Sequence, residues 1–297
     1  MGRAIYVSSV NGDDANSGYA PEKAFRSLKK VNQMEIQPGD QILLERGSVF
    51  VGEYLHLYRG GTKEAPVVVD AYGEGALPRI ETDGNGIWYQ NYGGHLDNVV
   101  HTWKGYLSSA VLLYDAEYIS IRNLEITNNP CVKNERLNQA DRMNRTGVSV
   151  IAKNHGTLHE IELDHLYIHD VEGNIYDKHL NNGGIYMSVS RPDDEEKTGI
   201  ARYDGIHIHH CKVENCRRWG IAAGYTYQHD KFTTLELPDE VVKTYGSTNV
   251  VIEHNFVKDI GGDGITPMYC FEPLIQYNVS ELSLIHISEP TRLQLIS

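Results

Sequence analysis

Four segments of this chain superimpose without a gap: ISIRNLEITNN from Ile119, IELDHLYIHDV from Ile161, IHIHHCKVENC from Ile206 and VVIEHNFVKDI from Val250. Each is apolar at its first, third and eighth positions. The columns are Ile119/Ile161/Ile206/Val250, Ile121/Leu163/Ile208/Ile252 and Ile126/Ile168/Val213/Val257, and a polar residue (Asn128, Asp170, Asn215, Asp259) closes each repeat. Alternation with a period of two, interrupted once, describes two short strands meeting at a corner. A third short element follows each pair, GVSV at Gly147, GIYM at Gly184, GIAA at Gly220 and GITP at Gly264. The basic unit is 23 residues, the distance from Val250 to its equivalent Pro273, and the spacings of 42, 45 and 44 residues between the other repeats are that unit with insertions. Three short strands per turn, stacked like upon like, predict an all-β parallel solenoid in which each coil buries its apolar face only against its neighbours.

With these repeats in place, the chain resembles the right-handed parallel β-helix, pectate-lyase-like superfamily of carbohydrate-active enzymes, over residues 4 to 281. The opening IYVSSVNGDDANSGYAPEKAFRSLKKV, followed by IQPGDQILLERGSVF and APVVVDAYG, is similar to that group's capping helix and first coil. The residues agree: Pro21 suits a first helical turn, and Phe25, Leu28 and Val31 share one face, so a short amphipathic helix over 21–33 is expected to cover the open end of the solenoid. The resemblance implies a single-stranded, right-handed winding over 1–281, with clear repeats over 110–281. The stretch LSLIHISEPTR, residues 282–292, resembles a translated transposase adapter from sequencing-library preparation. Residues 282–297 are therefore expected to be a non-native tail on a C-terminally truncated solenoid, and are excluded from fold reasoning.

Composition narrows the partners. A net charge of −13, from 40 acidic and 27 basic residues, repels a polyanion, and no basic run interleaved with aromatics overrides it, so nucleic acid is not an expected partner. No apolar run approaches the ~18 residues of a membrane span, and no leader pattern opens the chain. These features, with four cysteines that make no disulfide framework, point to a cytoplasmic protein without a membrane partner, monomeric when complete.

The run HIHHCKVENC invites a zinc reading. In the columns, however, Ile206 and Ile208 point inward, so His207 and His209 point outward while Cys211 and Cys216 fall at inner positions as small hydrophobes. A site would need both sets to converge on one point, so no metal is expected. Asn255 and Asn278 share the corner column of Cys211, which predicts a short internal ladder of amides bonding the next coil's backbone.

Insertions locate the chemistry. Between the closing column and the Gly-Ile strand the basic spacing is five residues, but it is fourteen from Val171 to Ile185 and nineteen from Asn129 to Val148. On the other side of that strand eight residues become twenty-one from Ile185 to Ile206 and twenty-nine from Ile221 to Val250. Loops raised on both edges of one sheet make a groove suited to a polysaccharide or oligosaccharide. Asp263, Asp177, Glu272, His179 and Arg218 are the candidate catalytic groups on or beside its floor, and Tyr186, Trp219, Tyr225, His229, Asp230 and Arg145 the candidate substrate-binding ones. Nineteen tyrosines and three tryptophans supply faces for sugar rings.

Glycoside hydrolysis needs two carboxyl groups flanking the bond, ~5–9.5 Å apart, and coils ~4.8 Å apart let Asp263 meet Asp177 or Glu272 at such a separation. A polysaccharide lyase instead needs a base and a cation beside a uronate, which Lys178, His179, Arg218 and His229 supply, with calcium on groove carboxylates as its possible cofactor. The paired-aspartate and His motifs of polygalacturonases and the Arg-x-Pro-x-x-Arg pattern of many pectate lyases are both absent. The richer carboxylate inventory favours a cofactor-free hydrolase. A non-catalytic glycan-binding scaffold, with aromatic platforms but no carboxyl of raised pKa, is the third reading.

Overall fold

The computed structural model describes residues 2–94, 102–129, 143–233 and 236–281; the expected non-native tail and Cys131 lie outside them. Strands form three sheets that the chain visits in rotation. The first sheet runs Ala4–Val7, Gln41–Glu45, Val67–Tyr72, Ile119–Arg122, Thr157–Asp164, Arg202–His209, Thr248–Glu253 and Leu274–Gln276. The second holds Val49–Val51, Arg79–Glu81, Glu125–Asn128, Tyr167–Val171, Lys212–Cys216, Phe256–Ile260 and Val279–Glu281. The third holds Leu55–Leu57, Lys104–Tyr114, Asn144–Ala152, Gly183–Val189, Trp219–Thr226 and Ile265–Pro267, with Ile87–Asn91 antiparallel to Lys104–Tyr114. Every other named pairing is parallel, and each strand pairs with its equivalent one coil away.

The registers reproduce the sequence columns. Ile161 is opposite Ile119 and Ile206, Ile206 is opposite Val250, and Ile168, Val213 and Val257 align in the second sheet. Val251 pairs with Leu274, which gives the uninterrupted 23-residue unit. The inward columns form one continuous core in which Ile121, Leu163, Ile208 and Ile252 are all fully buried, each such side chain contributing about 1.5–3 kcal/mol of transfer free energy. The glycine that opens each third-sheet strand is fixed by space: a Cβ at Gly220 would lie 2.3 Å from the Gly264 carbonyl oxygen and 2.7 Å from Val257 Cγ1.

Corners between the first two sheets are turned in the left-handed region at Asn123, His165, His210, His254 and Tyr277, with φ between 49° and 56°. Histidine and asparagine tolerate that region better than most side chains. The rings stack from coil to coil, His165 on His210 at 4.9 Å, His210 on His254 at 5.1 Å and His254 on Tyr277 at 4.9 Å, close to the ~4.8 Å strand spacing.

The N-terminal cap is smaller than the predicted helix over 21–33. A single 3-10 turn, Pro21–Lys23, and a five-residue helix, Leu28–Asn32, flank an extended stretch. The break has a backbone cause: Phe25 donates to the Tyr6 carbonyl and accepts from Ser8 N–H, so it continues the first sheet instead of a helix. Leu28 and Val31 still plug the core and are fully buried.

Cys211 and Cys216 face inward and are buried, as the columns require, and burial pushes the Cys211 thiol up to about 12 and Cys216 in the same direction. The amide ladder also forms. Asn255 Nδ2 donates to Ile208 O and to Asn278 Oδ1, both at 2.9 Å, its Oδ1 accepts from Cys211 N–H at 2.9 Å, and Asn278 Nδ2 donates to Ile252 O at 2.7 Å. Asn255→Ala leaves several of these buried groups without partners, so we expect a loss of about 1–3 kcal/mol, read as a lower urea midpoint at unchanged slope.

Candidate active site

The central third-sheet strands Asn144–Ala152, Gly183–Val189 and Trp219–Thr226 are buried on both faces, unlike the half-exposed first sheet. Among the described residues, the hairpin that includes Ile87–Asn91 and the insertion that carries Leu180 fold over this sheet. Trp88, Tyr92, Leu107, Leu180, Tyr186, Trp219 and Tyr225 form a second apolar cluster on its outer face. Neutral hydrogen bonds pin this roof: Gln90 Nε2 donates to Asn181 Oδ1 (2.9 Å) and Ser188 Oγ (3.0 Å), Asn181 N–H donates to Gln90 Oε1 (2.9 Å), and the Tyr92 hydroxyl donates to the His179 carbonyl (2.6 Å). Trp88 Nε1 reaches Ser109 Oγ at 2.8 Å, where Thr146 and Ser149 hydroxyls converge.

Asp177 sits where the roof meets an open pocket lined by Thr102, Lys104, Gly105, Tyr106, Asn144, Asn174, Tyr176 and Leu180. Its side chain is 10% exposed. Oδ2 accepts from Asn144 Nδ2 at 2.8 Å, and Oδ1 from the backbone N–H of His179 at 3.0 Å and of Leu180 at 3.4 Å. Burial raises its pKa above the usual carboxyl range, outweighing these donors and the positive charge of Arg218, which pull it down. His179 Nδ1 is 3.9 Å from Asp177 Oδ1, and its ring meets Tyr225 edge-on at 4.8 Å. Tyr225 continues to His229 at 5.5 Å and Tyr269 at 5.9 Å, and the Tyr269 hydroxyl bonds His229 Nδ1. The Arg218 guanidinium lies 4.9 Å above the Trp219 ring.

The structure thus brings together Asp177, His179, Arg218, Trp219, Tyr186, Tyr225 and His229, but as supports more than as a floor. Tyr186 is fully buried, its hydroxyl donating to the Lys178 and His179 carbonyls at 3.1 and 3.3 Å. Arg145 is buried with Nη1 on the Glu172 carbonyl at 2.8 Å. Three candidates lie elsewhere. Glu272 is exposed on the first-sheet side, beside Asp204, Lys243 and Asn249, because the chain after Tyr269 bends back to Ser247. Asp230 is exposed and paired with Lys231 at 3.7 Å. Asp263 is exposed; its carbonyl accepts from Gly220 N–H at 3.0 Å, which sets it one coil beyond Arg218 and Trp219.

Pocket residues that the repeat pattern does not single out include Asn144 and the exposed rings of Tyr106 and Tyr176, 67% and 73% exposed. Tyr106 meets Tyr89 edge-on at 4.9 Å. The available signal is the alternation in IWYQN and KGYLSSAVLLY, which marks a hairpin outside the 23-residue unit.

Stacked parallel sheets bearing a pocket with one desolvated carboxyl and exposed tyrosines have the makings of a carbohydrate site. No family model matches the chain. Its sequence is similar to a lacto-N-biosidase of Bifidobacterium longum subsp. longum, 39% identical over 323 aligned positions covering 97% of this chain and 20% of that protein. Its fold is similar to crystal structures of the GH136 lacto-N-biosidase from Eubacterium ramulus. The selenomethionine form gives a TM-score of 0.90 at 55% identity over 94% of this chain and 45% of that one, and the native form a TM-score of 0.90 at 55% identity over 93% and 44%. GH136 is a glycoside hydrolase family. The chain spans less than half the length of the relatives it matches.

A carboxyl whose folded pKa is raised favours folding below its unfolded pKa, and that contribution is lost as pH rises through the folded value. Urea unfolding at about pH 4 and about pH 7 should therefore show Asp177→Asn gaining stability relative to wild type as pH rises; an unchanged difference rejects the raised pKa.

Proposed function

We propose that this chain carries part of the active site of a glycoside hydrolase that cleaves an oligosaccharide, of the lacto-N-biosidase type, on a right-handed single-stranded parallel β-helix, the hand that parallel crossovers take. The observation that carries the reading is Asp177: a carboxyl at a pocket mouth whose pKa burial shifts upward is the kind of group that serves as general acid to a glycosidic oxygen. Asn144 and the two backbone N–H groups fix its orientation. Tyr106 and Tyr176 offer apolar faces on which sugar rings stack, the role expected of Trp219 and Tyr225, which are buried instead. Arg218 and His179 position the acid's loop and modulate its charge. For the second carboxyl that glycoside hydrolysis requires, Asp263 is the candidate, exposed and one coil from Arg218.

The test is release of lacto-N-biose by the natural protein containing this chain. Asp177→Asn should lower kcat by about 10²–10⁴-fold with KM little changed, Asp263→Asn should do likewise, and Glu272→Gln should be silent. Full turnover in Asp177→Asn, with an unchanged circular dichroism spectrum, would remove the acid from its role.

A further inference from the structure

The histidine run HIHHCKVENC has a different set of neighbours from the one its sequence suggests. Its cysteines are buried, but its outward histidines sit on a rigid sheet facing carboxylates of the preceding coil. Glu162 is in register with His207, and Asp164 with His209, in parallel strands Thr157–Asp164 and Arg202–His209. Four outward side chains thus occupy a rectangle ~4.8 Å by ~6.8 Å at the backbone. The His207 and His209 rings lean together, with centroids 3.9 Å apart. Donor atoms of Glu162, His207 and His209 all lie within 4.8 Å of one another.

We propose that Glu162, His207 and His209 bind one divalent transition-metal ion, of the zinc class, on the outer face of the first sheet. His209 Nε2 is 3.4 Å from Glu162 Oε1, and two ligands of a four-coordinate zinc at ~2.0–2.1 Å stand ~3.4 Å apart. The other His209 nitrogen, Nδ1, is 3.0 Å from Asp164 Oδ1, and His207 Nε2 is 3.0 Å from Glu253 Oε1. A carboxylate on the far nitrogen of a ligating imidazole fixes its tautomer and raises its basicity, and Asp164 takes that place on His209, whose Nδ1 also meets His210 Nδ1 at 2.9 Å. Two nitrogens and one oxygen select a borderline-soft ion over calcium or magnesium, which take oxygen ligands. Access is open: Glu162 and His207 line a broad depression with Tyr118, Ser120, His159 and Asp204, and the side chains of His207 and Glu162 are 41% and 39% exposed. A coordination position left by three protein ligands faces that depression, so water or a solute completes the shell. The face is the first sheet, not the third, and the assignment is independent of the hydrolase reading.

The experiment is calorimetric titration of tag-free protein with zinc chloride, with calcium chloride as the second arm, and visible absorption of the cobalt form as a ligand-field readout. One zinc per chain, no calcium, and an affinity lowered at least about tenfold by His209→Gln and by Glu162→Gln are expected. His254→Gln, in the stacked corner column, should leave affinity unchanged, and all variants should keep the wild-type circular dichroism spectrum. Zinc binding that is absent, or that survives both substitutions, overturns the proposal. So does binding lost through His165→Gln but not His209→Gln, which would put the ion on the neighbouring group of Asp164, His165 and His210.

Discussion

Parallel pairing of each strand with its own counterpart one coil away is the constraint on which the rest of the molecule depends. Because the pairing preserves register, whatever residue occupies a column meets its like from the next coil, and a column of Ile, Leu and Val becomes a continuous core. The same rule dictates the polar columns. At the corner between the first two sheets, one column of histidines forms a stack of rings and the adjacent column of asparagines forms a ladder of amides, and glycines where the third sheet opens leave room for the neighbouring carbonyl. It also dictates where insertions go, since residues added between strands cannot enter the ladder and must leave it at a corner.

In the third sheet, enough chain leaves at both corners to change the character of the sheet itself. A sheet with one face on the core and one in water reads as alternating; here the outer face carries Tyr186, Ala222 and Ile151, and Trp88, Tyr92 and Leu180 pack with them. The pocket lies at the roof's margin, where Asp177 is largely buried, its pKa shifted upward, yet within reach of solvent. A buried carboxyl and a solvent-accessible pocket are compatible for that reason: the covering supplies the desolvation, and its edge supplies the access.

Much of the fold was legible in the sequence because a solenoid is local: strand positions, inward columns, the 23-residue unit and the amide ladder follow from period and register alone. The cap was half legible, since Leu28 and Val31 mark its buried face, but the pairing of Phe25 with Ala4–Val7 is a tertiary contact that no helical periodicity announces. At the site, Asp177 was identifiable as a carboxyl in an insertion, whereas its desolvation depends on Asn144, Leu180 and the distant hairpin of Ile87–Asn91. Glu272 escapes sequence reasoning because counting residues from a strand says how far the chain has gone and not which way it turns. The histidine run does so for another reason: its register with Glu162 and Asp164 is in the aligned columns, but how closely His207 and His209 approach each other and those carboxylates depends on side-chain rotamers that register does not fix.

The links that hold the roof down are amide to amide, amide to hydroxyl and hydroxyl to carbonyl, as at Gln90, Asn181, Ser188 and Tyr92. None of these four side chains ionises between about pH 4 and about pH 7, and dissolved electrolyte screens charge pairs far more than neutral dipoles. The enclosure beside Asp177 therefore keeps its shape across changes of acidity and ionic strength, mechanically uncoupled from the titration of the carboxyl it borders.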